Sequence, residues 1–155
     1  MTEARGSRWD PATPMTGVRL LTGFEECTLA AGSFRHREHV EIAWLYLSRY
    51  SLLDALARFA DGLRRLARSF GASDKYHETI TWTFMLLVHE RMQRAESSET
   101  WAEFAAHNSD LFEWPSPLLA RYYSEETLWS DLARKVFVLP DRALGGPPVA
   151  SAASE

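Results

Sequence analysis

The stretch FRHREHVEIAWLYLSRY, at residues 34–50, has the apolar spacing of a helix that is buried along one face. Residues at positions i, i+3, i+4 and i+7 share such a face. Here the positions are filled by His36, His39, Val40, Ala43 and Leu47. Ser33 precedes the stretch, and a serine oxygen can accept from the free amides of a first helical turn. The pattern predicts a long helix capped by Ser33, with both histidines directed toward the interior.

A second stretch, KYHETITWTFMLLVHERM at residues 75–92, has a similar beginning. We predict a helix that starts at Tyr76 and has Ser73 or Asp74 as its N-cap, because short polar side chains favour that position. His77 then lies at the front of the buried face of this helix. The two stretches therefore each place histidine at the start of a core helix.

The remainder of the chain also has helical periodicity, with capping signals before two of the segments. Ser51 is followed by Asp54, and Thr100 is followed by Glu103. Further helices are predicted at 24–31, 52–70, 101–107, 118–123 and 125–137. No convincing strand pattern occurs between them. The predicted fold class is all-α: a single-domain helical bundle of about four main helices with short additional helices.

The 155-residue chain is predicted to form one domain with two unstructured ends. Residues 1–17 are rich in proline and glycine and lack hydrophobic periodicity, so we expect a mobile N-terminal arm. Residues 18–140 form the helical domain. Residues 141–155 are small, proline-rich and glycine-rich, which predicts a disordered C-terminal tail.

Composition narrows the classes of function. A formal charge of −4 gives no basic face for nucleic acid. The apolar runs are too short for a membrane span, and the first residues lack the apolar core of a signal peptide. Cys27 is the single cysteine, so no intrachain disulfide is expected. These features predict a cytoplasmic protein without nucleic-acid or membrane partners.

Three histidines form the candidate metal site. Two imidazoles at i and i+3 of a helix, here His36 and His39, can converge on one ion. An up-down-up order of the long helices would bring His77 to the same end of the bundle. The sequence therefore predicts a mononuclear divalent metal, either iron, copper or zinc, with the three histidines as its ligands. The spacing of a zincin protease does not occur.

Several residues near these histidines could serve a substrate. Tyr76 and Thr81 are the candidate catalytic or supporting groups, since a ligating histidine usually donates its other nitrogen to an oxygen. Glu78 is interpreted as a capping and surface residue. A pocket for the substrate is predicted from Trp44, Tyr46 and Trp82. The arginines of the third predicted helix are interpreted as a solvated face: Arg58, Arg64, Arg65 and Arg68.

The leading functional hypothesis is a small helical metalloenzyme that acts on a small organic substrate. Oxidation is slightly favoured over hydrolysis, because an apolar and aromatic environment excludes water from a reactive intermediate. One alternative is a non-catalytic protein that binds a small molecule or a metal. Another is a metal-free enzyme that uses histidine as an acid or base. The six Trp, eight Phe and five Tyr are also compatible with a homodimer.

Overall fold

The structure, a computed structural model, describes residues 17–142 of the chain. Regular structure in that range is entirely helical, which confirms the predicted all-α class. The helices are α1 (Gly17–Glu25), α2 (His36–Arg49), α3 (Leu52–Ser69), α4 (Glu78–Arg94), α5 (Trp101–His107), α6 (Pro117–Tyr122), α7 (Glu125–Leu128) and α8 (Asp131–Lys135). Residues 1–16 of the predicted arm at 1–17 and residues 143–155 of the predicted tail at 141–155 lie outside the described residues, and Gly17 begins α1.

The core lies where α2, α3 and α4 pack against one another, with α1 across α2 and α3. Its interior is aromatic around Phe24, which is fully buried. The ring of Phe24 stacks with those of Phe34 and Phe59, at centroid distances of 5.6 and 6.1 Å. None of the helices between residues 17 and 142 is both long enough and apolar enough to cross a membrane.

Both capping signals form as predicted. The Ser51 hydroxyl accepts from the amide of Asp54 at 3.4 Å at the start of α3. At the start of α5, the Thr100 hydroxyl accepts from the Glu103 amide at 3.3 Å, while the Glu103 carboxylate accepts from the Thr100 amide at 2.9 Å. Because these pairs satisfy amides that a helix leaves free, the sequence sufficed to locate both starts.

The predictions of two other helix starts were wrong. Ser33 belongs to a 3-10 turn at residues 31–33, and α2 is capped by Arg35 instead. The Arg35 amide donates to the Glu38 carboxylate at 2.9 Å. Helix α4 begins two residues later than predicted, and its N-cap is His77 rather than Ser73 or Asp74.

Two predicted helices also have different extents. The first helix covers 17–25 rather than 24–31, since Cys27 adopts φ 55° and this left-handed conformation interrupts the helix. The predicted helix at 125–137 is divided into α7 and α8. Ser130 caps the second part by accepting from the Ala133 amide at 3.1 Å, which makes a new helix start inside the predicted one.

After α8, residues 136–142 form a C-terminal segment that lies along α4. The Thr79 hydroxyl donates to the Val136 carbonyl at 2.9 Å and accepts from the Val138 amide at 3.1 Å. The ring of Phe137 stacks on that of Trp82 at 5.0 Å, only 14° from parallel. These contacts hold the segment against the first turns of α4.

The far end of the C-terminal segment is bound to the loop between α6 and α7. Asp141 accepts from the Ser124 amide at 2.8 Å and from the Ser124 hydroxyl at 2.6 Å. The Arg142 amide donates to the Tyr122 carbonyl at 3.1 Å. These hydrogen bonds fix the first two residues of the segment that the sequence predicted to be a tail.

We predict that Gly62→Ala will destabilise the protein although alanine is the better helix former. A Cβ at position 62 would lie 2.6 Å from Cζ of Phe24, whose ring is fully buried and enclosed by other aromatic rings. Overpacking of this kind costs about 1–3 kcal/mol. Chemical denaturation measures the loss, and Gly32→Ala, with no atom within 4 Å of its Cβ, is the control. Equal stability of both variants would contradict the prediction.

Candidate functional site

A buried carboxylate lies at the start of α4, facing α3. Glu78 is only 8% exposed, and two donors bind it. The Arg64 guanidinium of α3 donates from Nη2 to Oε2 at 2.5 Å, and the Trp82 indole donates from Nε1 to Oε1 at 2.5 Å. A buried carboxylate is stable only when it is paired and hydrogen-bonded, and a position in the first helical turn also favours negative charge. These contacts fix Arg64, Glu78 and Trp82 as one network.

Tyr76 lies beside this network and has an unusual hydroxyl. The hydroxyl oxygen is buried, and within residues 17–142 it has no hydrogen-bond partner. The Arg64 guanidinium carbon lies 4.8 Å from the centre of the Tyr76 ring. Burial raises the pKa of Tyr76 to about 12, with a further contribution from the nearby Glu78 carboxylate. Tyr76 therefore carries a neutral phenol whose hydroxyl lies near Thr81 and Glu78 without a hydrogen bond of good geometry to either.

A cavity of about 230 Å³ adjoins Tyr76, between the end of α3 and the start of α4. Its lining residues are Arg64, Arg68, Ser73 and Tyr76. Arg68 and Ser73 are exposed, so the cavity opens to solvent. All of its lining side chains carry a hydrogen-bond donor. The cavity therefore combines an aromatic wall with two cationic groups.

A larger cavity, of about 440 Å³, lies beside α1. The described residues that line it are Val18, Arg19, Thr22, Gly23, Thr28, Ala30 and Ser33. They include one charged side chain and no buried polar atom that lacks a partner. Volume alone does not make a specific site, because polar groups fix the orientation of a ligand. The Tyr76 cavity is thus the better candidate.

His77 uses both of its ring nitrogens within the fold. Nε2 lies 2.6 Å from the Leu128 carbonyl, and Nδ1 accepts from the Ile80 amide at 3.1 Å. A carbonyl only accepts, so the proton lies on Nε2 and the ring is neutral. Burial lowers the pKa of His77, which favours this neutral form. A metal at either nitrogen would break one of the two hydrogen bonds.

His36 and His39 each use one nitrogen. Nε2 of His36 donates to the Leu111 carbonyl at 2.7 Å, and Nδ1 of His39 donates to the Arg35 carbonyl at 2.7 Å. Burial lowers the pKa of both rings, that of His39 to about 4. Each ring therefore keeps one nitrogen with a free lone pair, which is the capacity that metal ligation requires.

The third predicted ligand lies far from this pair. The His36 ring packs edge-on against the ring of Phe84, with centroids 4.8 Å apart. Phe84 follows His77 by seven residues on α4, about 10 Å along the helix axis. Nowhere in residues 17–142 do three or more His, Cys, Asp or Glu side chains form a group that could hold a metal ion. The described residues therefore do not fit the three-histidine metal site.

The stagger between α2 and α4 explains this separation. The predicted up-down-up order places the two helix starts side by side, whereas the start of α2 meets the middle of α4. Further along α2, the Trp44 ring meets that of Trp101 on α5, beyond the end of α4. Hydrophobic periodicity specifies the face that a helix buries but not its position along a neighbour.

The predicted catalytic and pocket residues are divided among different places. Thr81 lies one turn after His77 and donates to its carbonyl at 2.8 Å. Trp82 belongs to the Glu78 network. Trp44 packs against α5, and the Tyr46 hydroxyl donates to the Glu25 carboxylate at 2.9 Å. The structure thus brings Tyr76, Thr81 and Trp82 to the start of α4 and leaves Trp44 and Tyr46 elsewhere.

Three residues of this site have contacts that the sequence did not predict. Glu78 is buried, whereas we interpreted it as a surface residue. Arg64 and Arg68 are exposed, as the interpretation of a solvated face expects, and they also line the cavity. One signal was available for Glu78: Trp82 follows it by four residues, so the two side chains lie on the same helix face. Comparison with protein-family models, curated proteins and solved structures finds no match to this chain.

We predict that His77→Ala will lower the free energy of unfolding by about 2–4 kcal/mol. The variant loses a helix cap, worth about 1 kcal/mol, and leaves the buried Leu128 carbonyl without its donor. His77→Asn is the matched control, because asparagine is among the best N-caps and should recover about 1 kcal/mol. Chemical denaturation compares the variants. Equal stability of His77→Ala and the unchanged protein would contradict this role.

We predict that the protein loses stability as the pH falls below 6.5. A histidine with a lowered pKa in the fold binds a proton more readily when unfolded, so acid favours unfolding. For His39 the loss begins near the ordinary value of 6.5 and continues toward its folded pKa of about 4. It amounts to about 1 kcal/mol over the first pH unit. Denaturation at several pH values measures how steeply the free energy of unfolding depends on pH. This dependence should be shallower in His39→Gln. An unchanged dependence in that variant would contradict the prediction.

Proposed function

We propose that this chain is a binding protein for a small organic molecule, held in the cavity beside Tyr76 without the help of a metal. The buried Tyr76 hydroxyl carries the proposal. An unsatisfied buried polar group costs about 1–3 kcal/mol, so its retention at the wall of a cavity favours a role in binding. The hydroxyl oxygen is closed to solvent, so a polar atom of the ligand would reach it after a small movement of the cavity wall.

The dimensions of the cavity limit the ligand. At about 230 Å³ it is smaller than the roughly 300–1,000 Å³ typical of ligand pockets. A molecule of the size of a single substituted ring suits this space. The Tyr76 ring offers such a molecule an aromatic surface, while Arg64 is held in position by its ion pair with Glu78.

Binding without catalysis is favoured by the state of the nearby groups. A general base works best with a pKa near the working pH, whereas that of Tyr76 is raised to about 12. His77 is committed to a helix cap and to the Leu128 carbonyl. The metalloenzyme with His36, His39 and His77 stays a prediction, and elemental analysis of the purified protein tests it.

The replacement Tyr76→Phe should separate stability from binding. It removes a hydroxyl that the described chain leaves unpaired, so we expect the free energy of unfolding to stay equal or to rise by about 1 kcal/mol. Tyr123→Phe is the matched control, since its hydroxyl donates to the Val138 carbonyl at 2.7 Å and its loss should cost about 1 kcal/mol.

Binding is measured on the same proteins with a library of single-ring compounds, by amide chemical shifts in NMR spectra. Compounds that bind should shift the amide signals of residues between 64 and 82. Tyr76→Phe should weaken their binding affinity about tenfold, the equivalent of one lost hydrogen bond. A chelator should leave the affinity unchanged. The proposal fails if no compound shifts these amides, or if Tyr76→Phe is destabilised as much as Tyr123→Phe.

A further inference from the structure

We propose that the ligand carries an oxyanion, a carboxylate or a phosphate, which Arg68 and Ser73 bind at the mouth of the Tyr76 cavity. This inference rests on the proposed function and specifies its ligand class. The four lining residues supply guanidinium and hydroxyl groups, and none of them is acidic. A wall of this composition complements negative charge.

The two arginines of the cavity differ in their partners. Arg64 is paired with Glu78 and so has its charge largely compensated. Arg68 follows it by four residues on α3, on the same helix face. Among residues 17–142, the Arg68 guanidinium forms no ion pair and donates no side-chain hydrogen bond. Its planar fork of donors is therefore free for a carboxylate or phosphate.

Ser73 adds a hydrogen-bond donor to the lining of the cavity. It begins the 3-10 turn of residues 73–75 between α3 and α4. Its hydroxyl makes no hydrogen bond with the part of the chain that the structure describes, whereas the hydroxyls of Ser51, Ser124 and Ser130 are all used in caps. Asp74 and Lys75 follow in the same turn and offset each other in formal charge. The positive charge of Arg68 thus dominates the mouth.

The proposed anion-binding site has a charge opposite in sign to that of the whole molecule. The chain has a formal charge of −4, so long-range electrostatics disfavour anions. Local geometry must therefore supply the affinity. Guanidinium bonds to an oxyanion are charge-assisted and about twice as strong as neutral ones. An aromatic acid would combine these bonds with contact to the Tyr76 ring.

Three probes of similar size test the ligand class: benzoate, phenyl phosphate and the neutral benzamide. Each is titrated into the full chain while amide shifts between residues 64 and 82 are followed. We expect at least one anion to bind about tenfold more tightly than benzamide, as charge-assisted bonds imply. A preference for benzoate identifies a carboxylate ligand, and a preference for phenyl phosphate identifies a phosphate; either supports the proposal.

Two arginine variants complete the experiment. Arg68→Gln should remove the preference for the anion, and it should fold normally because the side chain is exposed. Arg58→Gln makes the same charge change on the same helix, but its guanidinium lies over the Tyr50 ring at 4.1 Å and does not line the cavity. The anion preference should survive in this control.

The outcomes separate the two proposals. If benzamide binds as tightly as the anions, or if Arg68→Gln and Arg58→Gln have equal effects, the oxyanion proposal is wrong while the binding function stands. If no probe or library compound shifts the amides of residues 64–82, the binding function and the oxyanion proposal both fail.

Discussion

The start of α4 depends on one imidazole. His77 caps the helix through Nδ1 and binds the Leu128 carbonyl at the end of α7 through Nε2. The ring must be neutral to do both, because a protonated Nδ1 could not accept from the Ile80 amide. This single neutral ring joins two parts of the chain that are 51 residues apart.

The arrangement of neighbouring side chains follows from that cap. With His77 at the N-cap, Glu78 occupies the first turn of α4 and is directed toward Arg64 of α3. Thr79 is then turned toward the C-terminal segment, which it binds through Val136 and Val138. Tyr76 precedes the helix and lies against the Arg64 guanidinium. A helix that began at Tyr76 would change the directions of Tyr76 and His77, whose backbones are extended in the structure.

The parts of the fold that were predictable are those determined by neighbours in sequence. The caps at Ser51 and Thr100 each join residues three apart, so a local pattern reveals them. The cap at His77 was not predictable in the same way, because histidine is not one of the preferred N-cap residues and its second hydrogen bond involves a distant residue. Of the candidate site, the sequence indicated Tyr76 and Trp82, but the cavity beside Tyr76 also requires Arg68 from another helix. Periodicity alone could not supply the stagger that separates His36 from His77.

The C-terminal segment has a consequence for synthesis of the protein. Thr79 bonds to the backbone of Val138, which follows it by 59 residues. At a translation rate of about 5–20 residues per second, that partner is added roughly 3–12 seconds after Thr79 itself. During that interval Trp82 lacks the Phe137 ring that stacks on it. The nascent chain therefore presents the first turns of α4 without their cover, and the ribosome-bound stage is when this surface is open to chaperones.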